Sequence, residues 1–456
     1  MNAAADAGER TQAISLEQIG LLLLIGVVMV SVAVVPLLLD LGSLEDTYYG
    51  VKARALVILT PVLFVALLAA SGGRELRRAG LLWPLVAFAG AAVLATGLSV
   101  NPVWSIQGAP QRHEGLLSLL AYPAICAGTL VVVARGGWRL WCGAALTCAA
   151  VVAGYGVAQY FGWEWLVRDP IRVFWWRPFS TSGNPNFLGV YMVLMSPLAS
   201  CVLLTSRRRI AAVLAGGALG LMVLAALCTY SRAAWLGLVV AAVVFAVALR
   251  FNRTADPFPT NMKSRLAGAV AFVVLLAGLF FFPGSPLAIR RADWSAAQRA
   301  QTVVEPADPQ AGFRQRSYLW SHTIALLLRR PLLGYGPETF ALVFPQSWDE
   351  ERTLLFGASP VRIDKAHNET LDMAMSVGAL GVVAFGWVLV STLRNATSAW
   401  GPSSPPRVLA AACVAAIVGY WVDVQWHFSV VSVAPVFWSV LGATSGLTIL
   451  RTRRTL

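Results

Sequence analysis

The sequence predicts an all-α protein, a polytopic bundle of about twelve membrane-spanning helices with a long outer loop between spans 9 and 10. Three observations predict it. Only 12% of the 456 residues are charged while 57% are hydrophobic, where a soluble domain is about one-quarter charged. The mean hydropathy is +0.68. The apolar residues also fall in runs of lipid-crossing length, since a helix needs roughly 20 of them to cross about 30 Å of hydrocarbon. No stretch reads as a separate soluble domain, so residues 1–456 are expected to form one transmembrane domain.

The expected spans lie near 18–39, 55–71, 81–99, 116–134, 140–160, 187–205, 210–229, 233–249, 266–283, 368–392, 408–424 and 431–450. The first is longer than a signal-peptide core and lacks a following small-residue cleavage site, so it reads as a retained helix. Between spans 9 and 10 the segment 284–366 opens on Pro283, Gly284 and Pro286. It continues through an amphipathic helix from about Phe313 to Leu328 and turns at Gly334-Tyr335-Gly336-Pro337. The stretch from Gly401 to Pro406 reads as a linker between two spans, and no 20–50-residue repeat is present.

The net charge is +13, and all but three of the 35 basic residues (Lys52, Lys263 and Lys365) are arginine. With the N-terminus inside, 18 basic residues fall in cytoplasmic loops and tails. Seven (Lys52, Arg54, Arg112, Arg168, Arg172, Arg177 and Arg232) fall in short outer loops, and the other 10 in segment 284–366. The positive-inside rule therefore puts both termini in the cytoplasm. Arginines scattered over short loops do not make the single basic face that nucleic acid needs. The six cysteines all sit in apolar runs, which suits packing and neither disulfides nor a metal set. No phosphate-binding glycine loop and no Asp-x-Asp pair in the outer loops points to a nucleotide or a divalent metal, so no cofactor is expected.

Helices nearly free of ionisable residues do not suit an ion-coupled transporter. Polar residues crowd the outer ends instead, in four clusters: Gln111 to Gly115, Ser180 to Phe187, Tyr230 to Trp235, and the long loop running into His367-Asn368. On a helix, His367, Leu371, Ala374, Gly378 and Gly381 share one stripe, which puts an imidazole above a groove of small residues. Such a groove admits a lipid tail beneath a reacting headgroup; the plainer reading is close helix packing. Arg232 interrupts about 40 mostly apolar residues and either snorkels to headgroups or binds a ligand. Arg314, Arg316, Arg329 and Arg330 add guanidiniums in the long loop, with Trp320 four residues after Arg316. Converging guanidinium forks suit a diphosphate, and a basic face suits anionic lipid.

These residues resemble the O-antigen ligase and polymerase superfamily of bacterial membrane glycosyltransferases. The resemblance rests on His367-Asn368-x9-Gly378-x2-Gly381, with Gly183 to Phe187, Ser231 to Gly237, Arg316-x3-Trp320 and Pro331 to Pro337 ahead of Phe340 in support. It implies a GT-C-like fold in the bacterial cytoplasmic membrane. It also implies a glycan donor carried on undecaprenyl diphosphate and metal-independent, inverting transfer to an acceptor hydroxyl on the outer face. His367 would be the catalytic base, and Arg232, Arg316 and Arg314 would hold the diphosphate. Arg112, Asn184, Asn368 and Trp320 complete the expected substrate pocket, and Gly378 and Gly381 the helix groove. Family members transfer to lipid A core, to a growing glycan chain or to protein, and no residue chooses among them. A lipid-linked oligosaccharide flippase is the alternative from another class.

Overall fold

The computed structural model describes residues 15–43, 46–110, 112–166, 177–251, 262–282, 285, 287, 313–346, 355, 362–398 and 407–455. Among them every regular element is helical. In chain order the main helices are α1 (Leu16–Ala33), α2 (Gly50–Ala69), α3 (Leu82–Gly97), α4 (Leu116–Val132), α5 (Trp138–Tyr160), α6 (Pro185–Thr205) and α7 (Arg209–Cys228). They continue with α8 (Arg232–Phe251), α9 (Met262–Phe281), α10 (Phe313–Leu327), α11 (Glu369–Ser398), α12 (Arg407–Val424) and α13 (Ala434–Thr455). Leaving aside α10, the amphipathic loop helix, each of these is one of the twelve apolar stretches read from the sequence. Nine described segments are long and apolar enough to cross a membrane. One of them, Leu116–Tyr160, comprises both α4 and α5, while Leu82–Gly97 and Ala434–Leu450 are shorter apolar helices. The Pro283-Gly284-Pro286 start of the long loop and the Gly401 to Pro406 linker lie outside the described residues.

Local chemistry sets the helix ends. Ser15 and Gln18 form a reciprocal capping box on α1. Gly136, at φ +98°, lets the chain turn from α4 into α5. With lipid outside and no water to drive helices together, close packing needs small residues at the contacts. Gly442 and Gly446 of α13 lie against the Cys126 and Leu130 carbonyls of α4, and Gly237 of α8 lies against Gly419 of α12. The six cysteines are buried in this core and form no disulfide.

Ionisable residues keep to the helix ends: in all twelve long helices each lies within five residues of a terminus. At one end Arg135 binds Glu75 and Glu17, both at 3.1 Å, with Arg74 beside Glu17 at 3.5 Å. The opposite end gathers Lys52, Arg112, Lys365 and His367. Lys52, read from the sequence as an outer-loop charge, belongs to the first turn of α2 and is fully buried. Its Nζ donates to the carbonyls of Leu38 (2.8 Å), Tyr48 (2.9 Å) and Thr181 (2.8 Å), tying the chain before α2 to the turn before α6.

Helix α11 corrects the expected groove. Gly378 has φ +66° and ψ −173°, so the helix breaks there and the uninterrupted 100° stripe from His367 to Gly381 does not exist. The space it was expected to leave is filled by protein. Residues 331–335 lie along the break, where Ala379 N–H donates to the Pro331 carbonyl (2.8 Å), Leu380 N–H to Leu332 (3.2 Å) and Tyr335 N–H to Met375 (2.8 Å). The loop backbone thus answers helix groups that the break leaves open. A Cβ on Gly378 would sit 2.2 Å from the Leu332 carbonyl oxygen. Gly378→Ala is therefore expected to destabilise the protein by at least about 1–3 kcal/mol from the left-handed backbone alone. Thermal unfolding in detergent reads this, and an unchanged midpoint would show that the loop is not anchored there.

Candidate active site

His367 stands in the turn that leads into α11, and both of its neighbours are pinned. Ala366 N–H donates to Asp372 Oδ1 (2.8 Å), and the Trp320 indole of α10 donates to the Ala366 carbonyl (3.1 Å). Asn368 caps α11 by accepting Leu371 N–H (3.0 Å), and its amide donates to the Gln425 carbonyl (3.1 Å). The chain passes through His367 at φ +54°. Six described non-glycine residues have positive φ, and five of them (His113, Ser180, Tyr230, Glu338 and His367) lie at this end of the bundle. Such strain concentrates where surrounding structure over-determines the backbone.

The half-buried imidazole packs on Phe428, ring centroids 5.4 Å apart. Phe428 follows α12 in the run Asp423 to Phe428, and it is a hub: the Arg112 guanidinium lies 4.9 Å from its centroid and Lys365 Nζ 5.6 Å. Near His367, Arg112 donates from Nε (3.0 Å) and Nη2 (2.9 Å) to Asp364 Oδ2. Arg316 donates from Nε (3.2 Å) and Nη2 (2.9 Å) to the Trp426 carbonyl, beneath the Trp426 ring. Burial lowers the His367 pKa to about 4, Arg316 and Arg112 add to the effect, and Asp364 opposes it. At neutral pH the ring is an uncharged imidazole, able to accept a proton.

Behind this layer is a cavity of about 70 Å³ lined by Glu114, Tyr122, Glu338, Lys365, Glu369 and Asp372. Lys365 bonds Glu338 at 2.7 Å, Tyr122 donates to Glu114 (2.5 Å), and Glu369 accepts Ser429 N–H (2.6 Å). Burial pushes the Glu114 carboxyl up to about 8. Burial also pulls on Lys365, but Glu338, Asp372 and Glu114 outweigh it and hold the ammonium above its usual range. Among the described residues no three His, Cys, Asp or Glu side chains are grouped to hold a metal ion.

The structure brings together His367, Arg316 and Arg112. Trp320 and Asn368 stand beside them as supports of the His367 backbone rather than as open pocket walls. Arg314 is exposed on α10, about 200° around the helix from Arg316. Asn184 caps α6 by accepting Asn186 N–H (2.9 Å). Arg232 opens α8 at the same end as the site. Gly189, near the start of α6, lies against Ala234, and Phe187, two residues earlier, meets Phe428 edge-on with centroids 5.4 Å apart. Sequence reasoning passes over Asp364, Lys365, Glu338 and the run from Asp423 to Phe428. That run interrupts an apolar stretch just as Tyr230-Ser231-Arg232 does, which is a signal strong enough to find it.

Residues 217–386 match the profile of the O-antigen ligase family. Over these residues the chain is similar to the O-antigen ligase family. The matched span holds His367, Arg232, Arg316, Gly378 and Gly381, whereas Arg112, Asn184 and the Phe428 hub lie outside it. No curated protein matches the chain. At the coarse level the match points to a glycosyltransferase-type enzyme, and the described helices include nine segments long and apolar enough to cross a membrane.

Proposed function

We propose that this protein transfers a glycan from an undecaprenyl diphosphate-linked donor to an acceptor hydroxyl at the outer face of the bacterial cytoplasmic membrane, with both termini inside. The observation that carries the proposal is an imidazole held on Phe428 by its pinned neighbours, with the Arg112 guanidinium on the same ring and Arg316 bound to the nearby Trp426 carbonyl. His367 takes the proton of the acceptor hydroxyl, and the oxygen attacks the anomeric carbon. The bond from that carbon to the phosphate oxygen breaks, and the diphosphate leaves with the bonding pair from the opposite side, inverting the centre. Arg316 and Arg232 stabilise the leaving anion. A flippase would instead need charge along a path through the membrane. The confinement of ionisable residues to helix ends supports the enzyme.

Reconstitution with a lipid-linked glycan tests the reading: undecaprenyl diphosphate should be released only when an acceptor is present. Arg316→Lys keeps the charge but cannot hold the Trp426 carbonyl and a phosphate with one planar fork. It should lower kcat/KM for the donor about tenfold or more, a loss of roughly 1.4 kcal/mol in transition-state stabilisation. Wild-type turnover in this variant would make Arg316 a headgroup anchor.

A further inference from the structure

The chain between α10 and α11 leaves an apolar face uncovered at a definite depth. Helix α10 runs from the level of His367, where Trp320 donates to the Ala366 carbonyl, to the break in α11, where the Pro331 and Leu332 carbonyls accept Ala379 and Leu380 N–H. Gly378 follows the first residue of α11, Glu369, by nine positions. At 1.5 Å of rise each, this puts the break about 13 Å nearer the bilayer centre than the end where His367 stands. Beyond the break, residues 379–398 run about 30 Å, the full thickness of the hydrocarbon. Exposure changes at the same point: none of residues 371–378 is exposed, whereas Leu380, Val383, Trp387 and Val390 are. The break therefore marks the hydrocarbon boundary on the His367 side.

At that boundary the loop presents leucine. Leu328 is 76% exposed and Leu332 64%. Along one face of α10 the exposed residues change from Arg314, Ser317 and Ser321 to Ile324 and Leu328, so polarity falls as the helix descends. Ser99 Oγ and Val100 N–H both donate to the Tyr335 carbonyl (3.1 Å each), which sets the end of α3 against the same loop, and there Leu98 is exposed too. An apolar patch continuous with the lipid-facing side of α11 is covered by acyl chains. Arg329 and Arg330, between the two leucines in the chain, are exposed, and the Arg330 guanidinium lies 5.3 Å from the centroid of the Tyr335 ring. Guanidiniums at headgroup level above inserted leucines complement anionic phospholipid. A single bound diphosphate needs converging groups held in place, whereas a fluid headgroup layer needs only exposed charge. We infer that this loop is an anchor in the leaflet on the His367 side, with Leu328 and Leu332 immersed in acyl chain and Arg329 and Arg330 bound to anionic phospholipid headgroups. The anchor fixes the height of α10, which carries Arg316 and Trp320, above the bilayer, and it does not rest on the glycan-transfer reading.

The test uses the full chain in nanodiscs of phosphatidylglycerol and phosphatidylcholine, with nitroxide labels placed one at a time through Ser317→Cys, Leu328→Cys, Leu332→Cys and Val383→Cys. The native cysteines are buried, and the unsubstituted chain gives their background. Labels at 328 and 332 should be relaxed by oxygen and shielded from a water-soluble nickel complex, as at 383, while the label at 317 should meet the nickel complex freely. Native mass spectrometry reads the headgroups. Arg329→Gln combined with Arg330→Gln should bind phosphatidylglycerol about tenfold or more weakly, since one arginine at an anionic surface is worth about fivefold. Phosphatidylcholine binding should not change. Arg329→Lys with Arg330→Lys, which keeps both charges, should retain most of the binding and guards against a folding defect. Nickel access at 328 and 332 equal to that at 317 overturns the insertion, and equal phosphatidylglycerol binding in the glutamine pair overturns the headgroup contact. Undecaprenyl phosphate added to the same nanodiscs separates the two sources of phosphate. If Arg329 and Arg330 govern binding of that lipid and not of phosphatidylglycerol, they belong to a donor site and the inference fails.

Discussion

His367→Ala is expected to lower the rate of glycan transfer by about 10²–10⁴, the usual contribution of a positioned base, while leaving the lipid-linked donor bound. The fold should tolerate the change. Ala366 and Asn368 hold the turn through their own bonds to Asp372, Trp320 and Gln425, none of which uses the imidazole. Alanine also meets a left-handed backbone at φ +54° that histidine already occupies under strain. His367→Gln keeps a polar group but no base, and should be nearly as slow. Near wild-type transfer in the glutamine variant would mean that the hydroxyl loses its proton to water or to the departing phosphate.

The pH profile separates a base from an orienting group. Because burial and the two nearby arginines disfavour the imidazolium, the free enzyme should keep His367 uncharged down to about pH 4. The acid limb of kcat/KM, which reports free enzyme, should fall there and not at the ordinary value of about 6.5. A bound diphosphate would offset the arginines and favour the imidazolium, so the acid limb of kcat should lie at higher pH. Both limbs should vanish in His367→Gln, and identical limbs for kcat and kcat/KM would count against a diphosphate bound beside Arg316.

The helices were legible because lipid forces the pattern: spans must be apolar over their whole length, whichever face they bury. The candidate site was legible only where one segment carries the signal, as with His367 and Arg316, which the fold brings near each other. Asp364 against Arg112 and Phe428 under His367 are pairings across more than 60 residues of chain, and no periodicity announces them. Other features were available to local rules. Asn184 and Asn368 each precede a helix, where asparagine is a cap before it is a ligand. Arg314 and Arg316 lie two positions apart on one helix and therefore cannot face the same ligand. The groove beneath His367 failed for a different reason. The stripe requires an unbroken helix, and Gly378, which was expected to open the groove, is the residue at which a loop backbone enters and fills it.

Lys365→Met is expected to be the most destabilising single change near the site, by about 3–5 kcal/mol, because it strips one partner from a buried ion pair. Lys365 and Glu338 are 8% and 7% exposed and bond at 2.7 Å, and Glu114 and Asp372 line the same small cavity. Without the ammonium, these carboxyls face one another with no cation among them. Removing both charges with Lys365→Met and Glu338→Gln should recover most of the loss, since the cost lies in the unpaired charge and not in the missing bond. Glu114 adds a pH dependence. Its pKa is raised from 4.5 to about 8 on folding, so the native state holds a proton that the unfolded chain releases, and stability should decline as pH rises from about 4.5 through 8. Thermal unfolding in detergent across that range measures both effects. Wild-type stability of Lys365→Met at neutral pH would show that water, not Glu338, satisfies the ammonium. His367, two residues along the chain, would then owe its position to Asp372, Trp320 and Asn368 alone.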